Sequence, residues 1–259
     1  MTANRPAFRA VADKIREAIE TGAFAPGAKL PSDTALAEQY DTSRATVGNA
    51  FRALLAEGYL IRKGRSYLVS PLIRKILRDA NVRYRKPNRE AGPDGTPSRG
   101  AFASEVRALG MRAGSDVTVD RVKPPANVAD LLGVSADEAS VLSRARRMTA
   151  DDVPVQLATS YVPGEIAFDS ALENVDTGAG GMISRLAEMG YVQAEVTEEI
   201  NVRTPTAEEI DELQLTEDAR VYELLHVART AEGRAVEVSV HVMPTHQWTL
   251  RYGWALDGN

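Results

Sequence analysis

Two groupings of side chains in this sequence have types and spacings suited to chemistry. The first joins Arg44 and Asn49, near the start of one amphipathic stretch, to the cations of Arg62-Lys63-Gly64-Arg65-Ser66. A guanidinium and an amide on the leading turns of a helix match the donors and acceptors on base edges. Three cations in a five-residue turn suit phosphates or a minor groove. The second grouping is Arg144-Ala145-Arg146 in a β-prone run. Side chains two apart share one strand face, and two guanidinium forks there suit a carboxylate or phosphate. Gly178-Ala179-Gly180-Gly181 ahead of a helical stretch adds free N–H groups that favour anions, without a full nucleotide fingerprint.

The elements that must hold the first grouping can be read directly. Phe8, Val11, Ala12, Ile15 and Ile19 form a helical stripe ended by Gly22. Ser32 or Asp33 then caps a short helix carrying Leu36, Ala37 and Tyr40. Ser43 caps the next, whose buried side is Val47, Ala50, Phe51, Leu54 and Leu55, leaving Arg44, Ala45, Gly48 and Asn49 outside. Glu57-Gly58 stops it. Tyr59-Leu60-Ile61 and Tyr67-Leu68-Val69 flank the cationic turn as a small hairpin. Helix, turn, helix and basic-tipped hairpin in that order predict a winged helix-turn-helix, whose second helix enters the major groove.

Charge and composition agree. The chain has 259 residues and a net charge of −5, but the sign is segregated. Residues 1–99 carry 18 Lys and Arg against 10 Asp and Glu, a net of +8, and the remainder nets −13. A basic first third on an acidic remainder points to a phosphate-binding domain joined to something else. There are no cysteines, which excludes disulfides, thiolate metal sites and a Cys nucleophile. Three scattered histidines form no metal motif, so neither a metal nor a cofactor is expected. No apolar run is long enough to span a bilayer and no secretory leader is visible, so a cytoplasmic location is expected.

Three segments are expected: residues 1–69 as the DNA-binding domain, 70–99 as a basic flexible linker, and 100–259 as a second domain. Residues 70–99 hold eight Lys and Arg, three acids and a Pro/Gly/Ser-rich second half. Beyond them, strands are predicted over 117–122, 141–148, 155–162, 192–202, 221–230 and 235–242. Helices are predicted over 101–109, 128–132, 182–189 and 207–213. Two hairpins, turning at Asp151-Asp152 and Glu232-Gly233, with helices packed on the sheet make this an α+β domain around an antiparallel sheet.

The run LPSDTALAEQYDTSRATVGNAFRALLAEGYLIRKGRSYLV, from Leu30 to Val69, resembles the DNA-binding domain of GntR-type bacterial regulators. The shared pattern is Leu-Pro-Ser-acid, Leu-Ala-x-x-Tyr, Ser-Arg-x-Thr-Val, Leu-x-x-Glu-Gly and a glycine-containing wing. The expected DNA-contacting set is Ser32, Ser43, Arg44, Thr46, Asn49, Lys63 and Arg65. Thr34 and Gly48 stand where many members carry arginine, and the wing reads Gly64-Arg65-Ser66-Tyr67 in place of Gly-x-Gly-Thr.

The second region is similar to the UTRA effector-sensing domain of the HutC branch. The resemblance rests on Arg144-x-Arg146-Arg147, ATSYVP from Ala158, GMISRLAEMGY from Gly181, INVRTPTAEE from Ile200 and VYELLHVARTAEGRAVEVS from Val221. It implies a chorismate-lyase-like fold that binds a small molecule rather than turning one over. The effector-binding set so implied is Arg144, Arg146, Arg147, Tyr161 and Glu237, with Arg147 able to replace one arginine of the pair. Ala158 and Pro244 stand where many relatives have Glu and Arg. The reading is a ligand-controlled regulator, a repressor binding duplex operator DNA as a homodimer, with an effector that is small and anionic. The alternatives are a chorismate-lyase-type enzyme with an attached DNA-binding domain, and an effector-independent DNA-binding protein. No nucleophile–base pair or paired-acid constellation favours the enzyme.

Overall fold

The computed structural model describes residues 6–71, 74–85 and 100–255. The chain divides into two compact units. One gathers Met1–Lys75, Thr204–Arg220 and Thr245–Gln247; the other gathers Ile76–Arg203, Val221–Pro244 and Trp248–Asn259.

In the first unit, α1 (Ala7–Glu20), α2 (Asp33–Gln39) and α3 (Arg44–Ala56) precede the hairpin of β1 (Leu60–Lys63) and β2 (Ser66–Val69). Both predicted caps form: Ser32 accepts from Ala35 N at 3.2 Å, and Ser43 accepts from Thr46 N at 3.1 Å. Val11, Ala12, Ile15 and Ile19 of the predicted α1 stripe are buried and Phe8 is half-buried, with Ile15 fully enclosed among Leu36, Val47, Ala50, Phe51 and Leu54. β1 pairs with β2 in the register Lys63↔Ser66, so Gly64-Arg65 is a two-residue turn. Gly64 takes φ +60°, a value that such turns assign to a glycine. Helix α9 (Ala207–Leu213) opens on a capping box, with Glu209 Oε2 accepting from Thr206 N at 2.8 Å.

The second unit is built on a six-stranded antiparallel sheet in the order β4-β5-β6-β9-β8-β7. The strands are β4 (Ala113–Val122), β5 (Val141–Ala150), β6 (Val153–Pro163), β7 (Glu195–Arg203), β8 (Val221–Arg229) and β9 (Ala235–Pro244). Asp151 and Asp152 take φ values of 45° and 66° at the β5–β6 turn, the conformation that Asp tolerates best after Gly and Asn. One sheet face is apolar: Val141, Val227 and Val238 pack with Val128 and Leu132 of α6 (Ala126–Leu132). The other face is apolar at one end only. There Leu142 and Val162 lie with α7 (Gly164–Ala167) and α8 (Gly181–Glu188).

The structure departs from the expected linker in one stretch. Ile76–Asp79 forms β3, paired in parallel with β10 (Trp248–Arg251), and Ala80–Arg83 forms the short helix α4. Ile76 and Trp248 are fully buried partners there, and Trp248 Nε1 donates to Val155 O at 2.7 Å. That burial and pairing take these residues out of the tether. The remainder of the expected tether, 86–99, lies outside the described residues, and the next element is α5 (Ala101–Arg107).

Candidate functional site

In the first unit, the residues singled out from sequence come from the start of α2, the leading turns of α3 and the wing. Arg44 opens α3 with a side chain 67% exposed, tied to Asp33 of α2 by an ion pair of 3.2 Å. An exposed pair of this kind contributes little to stability, so Arg44 is readily released to a competing anion. Thr46 Oγ1 and Ser43 Oγ share a 2.8 Å hydrogen bond, which fixes the first turn of α3. Asn49 is exposed and accepts from Arg52 through its side-chain oxygen. Lys63 and Arg65 are exposed at the wing tip, and Ser32, Asp33 and Arg65 border one open depression of about 530 Å³. Gly48 sits between these residues on α3, and a methyl group added there meets nothing within 4 Å. Gly48→Ala is therefore expected to stabilise this unit by about 0.4–1 kcal/mol, read as a higher midpoint in urea unfolding. An unchanged or lower midpoint would contradict the open geometry.

In the second unit, a cavity of about 120 Å³ lies over the polar part of the sheet. Alternation decides which side chains reach it. Arg146 on β5, Gln156 on β6, Glu237 and His241 on β9, and His226 on β8 all line it. A chain of hydrogen bonds crosses the floor. Arg146 Nη2 donates to Ser160 Oγ at 2.5 Å, Ser160 and Ser239 hydroxyls meet at 2.6 Å, and Ser239 Oγ donates to Glu237 Oε1 at 2.6 Å. Gln193 Nε2 reaches the other Glu237 oxygen at 3.0 Å. Burial pushes the Glu237 carboxyl up, but the field of His226, the Ser239 hydrogen bond and the charge of Arg146 outweigh it, and the net shift is downward. Burial, reinforced by Arg78 and Arg83, holds His241 well below its ordinary value, so it is neutral.

Of the five residues read from sequence as ligand contacts, the structure brings Arg146 and Glu237 to this cavity. Arg144 shares their sheet face, yet its guanidinium is directed at backbone carbonyls: Leu172 O at 2.5 Å, Asn174 O at 2.7 Å and Val175 O at 2.9 Å. Burial first, and Arg146 second, push its pKa down to about 10. Arg147, of opposite parity, lies 3.8 Å from Asp116 of the edge strand β4. Tyr161 packs beside α6 on the apolar face. None of these three lines the cavity. Sequence reasoning missed Gln156, Ser160, His226, Ser239 and His241. The available signal was polar residues at the same parity as Arg146 inside otherwise apolar strands. It also missed Arg78, Arg83 and Tyr84, which β3 and α4 deliver to the same cavity. Among the described residues no cluster of metal-ligating side chains occurs, and no helix is long and apolar enough to cross a membrane.

Residues 8–67 match the family of bacterial regulatory proteins called gntR, and residues 108–248 match the UTRA domain. The chain belongs to the gntR family. Its pairing of a helix-turn-helix with a UTRA domain is the one expected of the HutC branch. An uncharacterized HTH-type transcriptional regulator of Streptomyces coelicolor is 33% identical over 99% of this chain and 94% of its own length. The HTH-type transcriptional repressor NagR of Bacillus subtilis is 25% identical over 95% of this chain and 93% of its own. The crystal structure of PhnF from Mycobacterium smegmatis superposes with a TM-score of 0.58 at 22% identity, covering 96% of this chain and all of that one, which establishes the shared fold. These gntR-family relatives are transcription regulators, not enzymes, and this chain is a transcription regulator of the same family.

Proposed function

We propose that this regulator is a cytoplasmic repressor that binds a two-fold symmetric operator as a homodimer, and that a small anionic molecule in the UTRA cavity controls its affinity for DNA. The observation that carries effector control is the cavity itself. A cationic and an anionic side chain, Arg146 and Glu237, are joined by two serines in the floor of the cavity. Core packing does not call for buried charge there, and a ligand site does. Repression is supported by relatives such as NagR and PhnF, which are named repressors. A homodimer is the assembly that a two-fold symmetric operator would require, because paired half-sites mirror protein symmetry. Control requires that the ligand bind the DNA-competent and incompetent states unequally.

The test is fluorescence anisotropy of a labelled operator, titrated with protein against a panel of small acids, sugars and amino acids. A ligand that shifts operator affinity supports effector control, and constant affinity across the panel contradicts it. In the same assay Arg44→Ala is expected to lower specific affinity by about 1–3 kcal/mol while leaving random-duplex binding nearly intact. An unchanged preference for operator over random DNA would remove Arg44 as a base reader.

A further inference from the structure

Arg78 is a fully buried cation. It sits on β3, is 1% exposed, and lines the UTRA cavity. Its Nη2 donates to Glu198 and, at 3.0 Å, to the Tyr84 hydroxyl, and the guanidinium also acts on the nearby Tyr252 hydroxyl. Its Nε and Nη1 are buried without a hydrogen-bond partner, and so is Nε of Arg146 across the cavity. The only other unpaired atom of this kind among the cavity-lining residues described is the amide oxygen of Gln156. Buried donors without acceptors are unfavourable, and native structures rarely leave several together without a ligand or water to meet them. Three unmet guanidinium nitrogens and one unmet carbonyl oxygen define the complement. It presents acceptor oxygens at two places, to Arg78 and to Arg146, and a hydroxyl donor to Gln156. At about 120 Å³ the cavity is well below the roughly 300–1,000 Å³ of common drug-sized sites, so the occupant is compact.

We propose that Arg78 is a ligand-contacting residue, and that the effector is a compact hydroxy-dicarboxylate-type acid gripped between Arg78 and Arg146. This rests on the effector reading above and gives it a chemical class. It also makes the strand by which the chain enters the second unit part of the binding site, since β3 starts at Ile76, the residue after Lys75 of the first unit. A ligand held by Arg78 acts directly on the segment that leads from the DNA-binding domain.

The experiment is isothermal titration of the full-length protein with malate as the probe, and with butyrate and erythritol as its one-acid and neutral four-carbon counterparts. Malate is expected to bind, butyrate to bind about tenfold more weakly or worse, and erythritol not to bind, because paired guanidinium–carboxylate bonds supply the affinity. Arg78→Lys and Arg146→Lys keep the charge but lose the planar fork, and each is expected to weaken malate by about tenfold. A purely structural Arg78 predicts otherwise: Arg78→Lys lowers the urea midpoint but, once folded, binds malate as the unaltered protein does, and that result overturns the proposal. Failure of malate to bind, or equal binding of erythritol, overturns it as well. If a neutral ligand then shifts operator affinity, effector control stands and only the acid class and the role of Arg78 fall.

Discussion

Glu198→Ala is expected to destabilise the UTRA unit by about 3–5 kcal/mol, the usual consequence of leaving one member of a buried ion pair unpaired. The Glu198 side chain is 5% exposed and that of Arg78 1%, so solvent screening does not dilute the effect. One carboxylate oxygen accepts from Arg78, from the Tyr84 hydroxyl at 2.5 Å and faces His226 Nδ1 at 3.2 Å; the other accepts from Tyr252 at 2.7 Å. Removing it leaves the buried Arg78 and His226 without their carboxylate in a poorly solvated place. Burial pushes this carboxyl up, but the His226 hydrogen bond, the Arg78 charge and the two tyrosine hydroxyls prevail, and its pKa is lowered well below the ordinary 4.5. A lowered folded-state value means that this stabilisation is present above the unfolded value near 4.5 and is lost as pH falls through the folded value. The variant should therefore show both a lower urea midpoint at pH 7 and a shallower loss of stability on acidification. Equal midpoints at neutral pH would show that the network contributes little.

Phe51→Ala is expected to cost about 3–5 kcal/mol in the DNA-binding domain, the range for removing a buried aromatic side chain. Phe51 is 1% exposed at the meeting point of α1, α3 and the wing, and its ring lies 4.4 Å from that of Tyr67 on β2. One substitution thus loosens the helix that presents Arg44 and the hairpin that presents Lys63 and Arg65. A domain of this size has a thin margin, so most of its stability is at stake. Unfolding should separate into two transitions, with only the DNA-binding one lowered. Specific operator binding at 37 °C should fall with it. A single unshifted transition with full operator affinity would contradict the packing.

How legible these features were in the sequence depended on distance along the chain. The caps at Ser32 and Ser43, the stripe of α1 and the Asp151-Asp152 turn are set by neighbours a few residues away, and sequence reasoning found them. The β5 parity rule correctly put Arg144 and Arg146 on one face, but could not separate their roles. Arg144 is held by carbonyls 28 to 31 residues further on, whereas Arg146 meets Ser160 on the adjacent strand. Strand β3 was hidden for the same reason. It is four residues long, too short for a periodic signal, and its partner Trp248 is supplied by the far end of the chain. Arg78 consequently read as one more cation of a basic tether. Glu237 was placed at the site by its resemblance to relatives, and the structure puts it beside Arg146 through Ser160 and Ser239.

The exposed start of α3 and the wing tip are expected to read a two-fold symmetric DNA sequence. Selection of bound duplexes from a random pool by the full-length protein, at physiological salt, tests it most directly. The account predicts enrichment of one palindromic site with half-sites about one helical turn, 34–36 Å, or a multiple apart. Recovery of no motif, with binding that falls steeply as salt rises, would mean that phosphate attraction alone holds the complex and would contradict it.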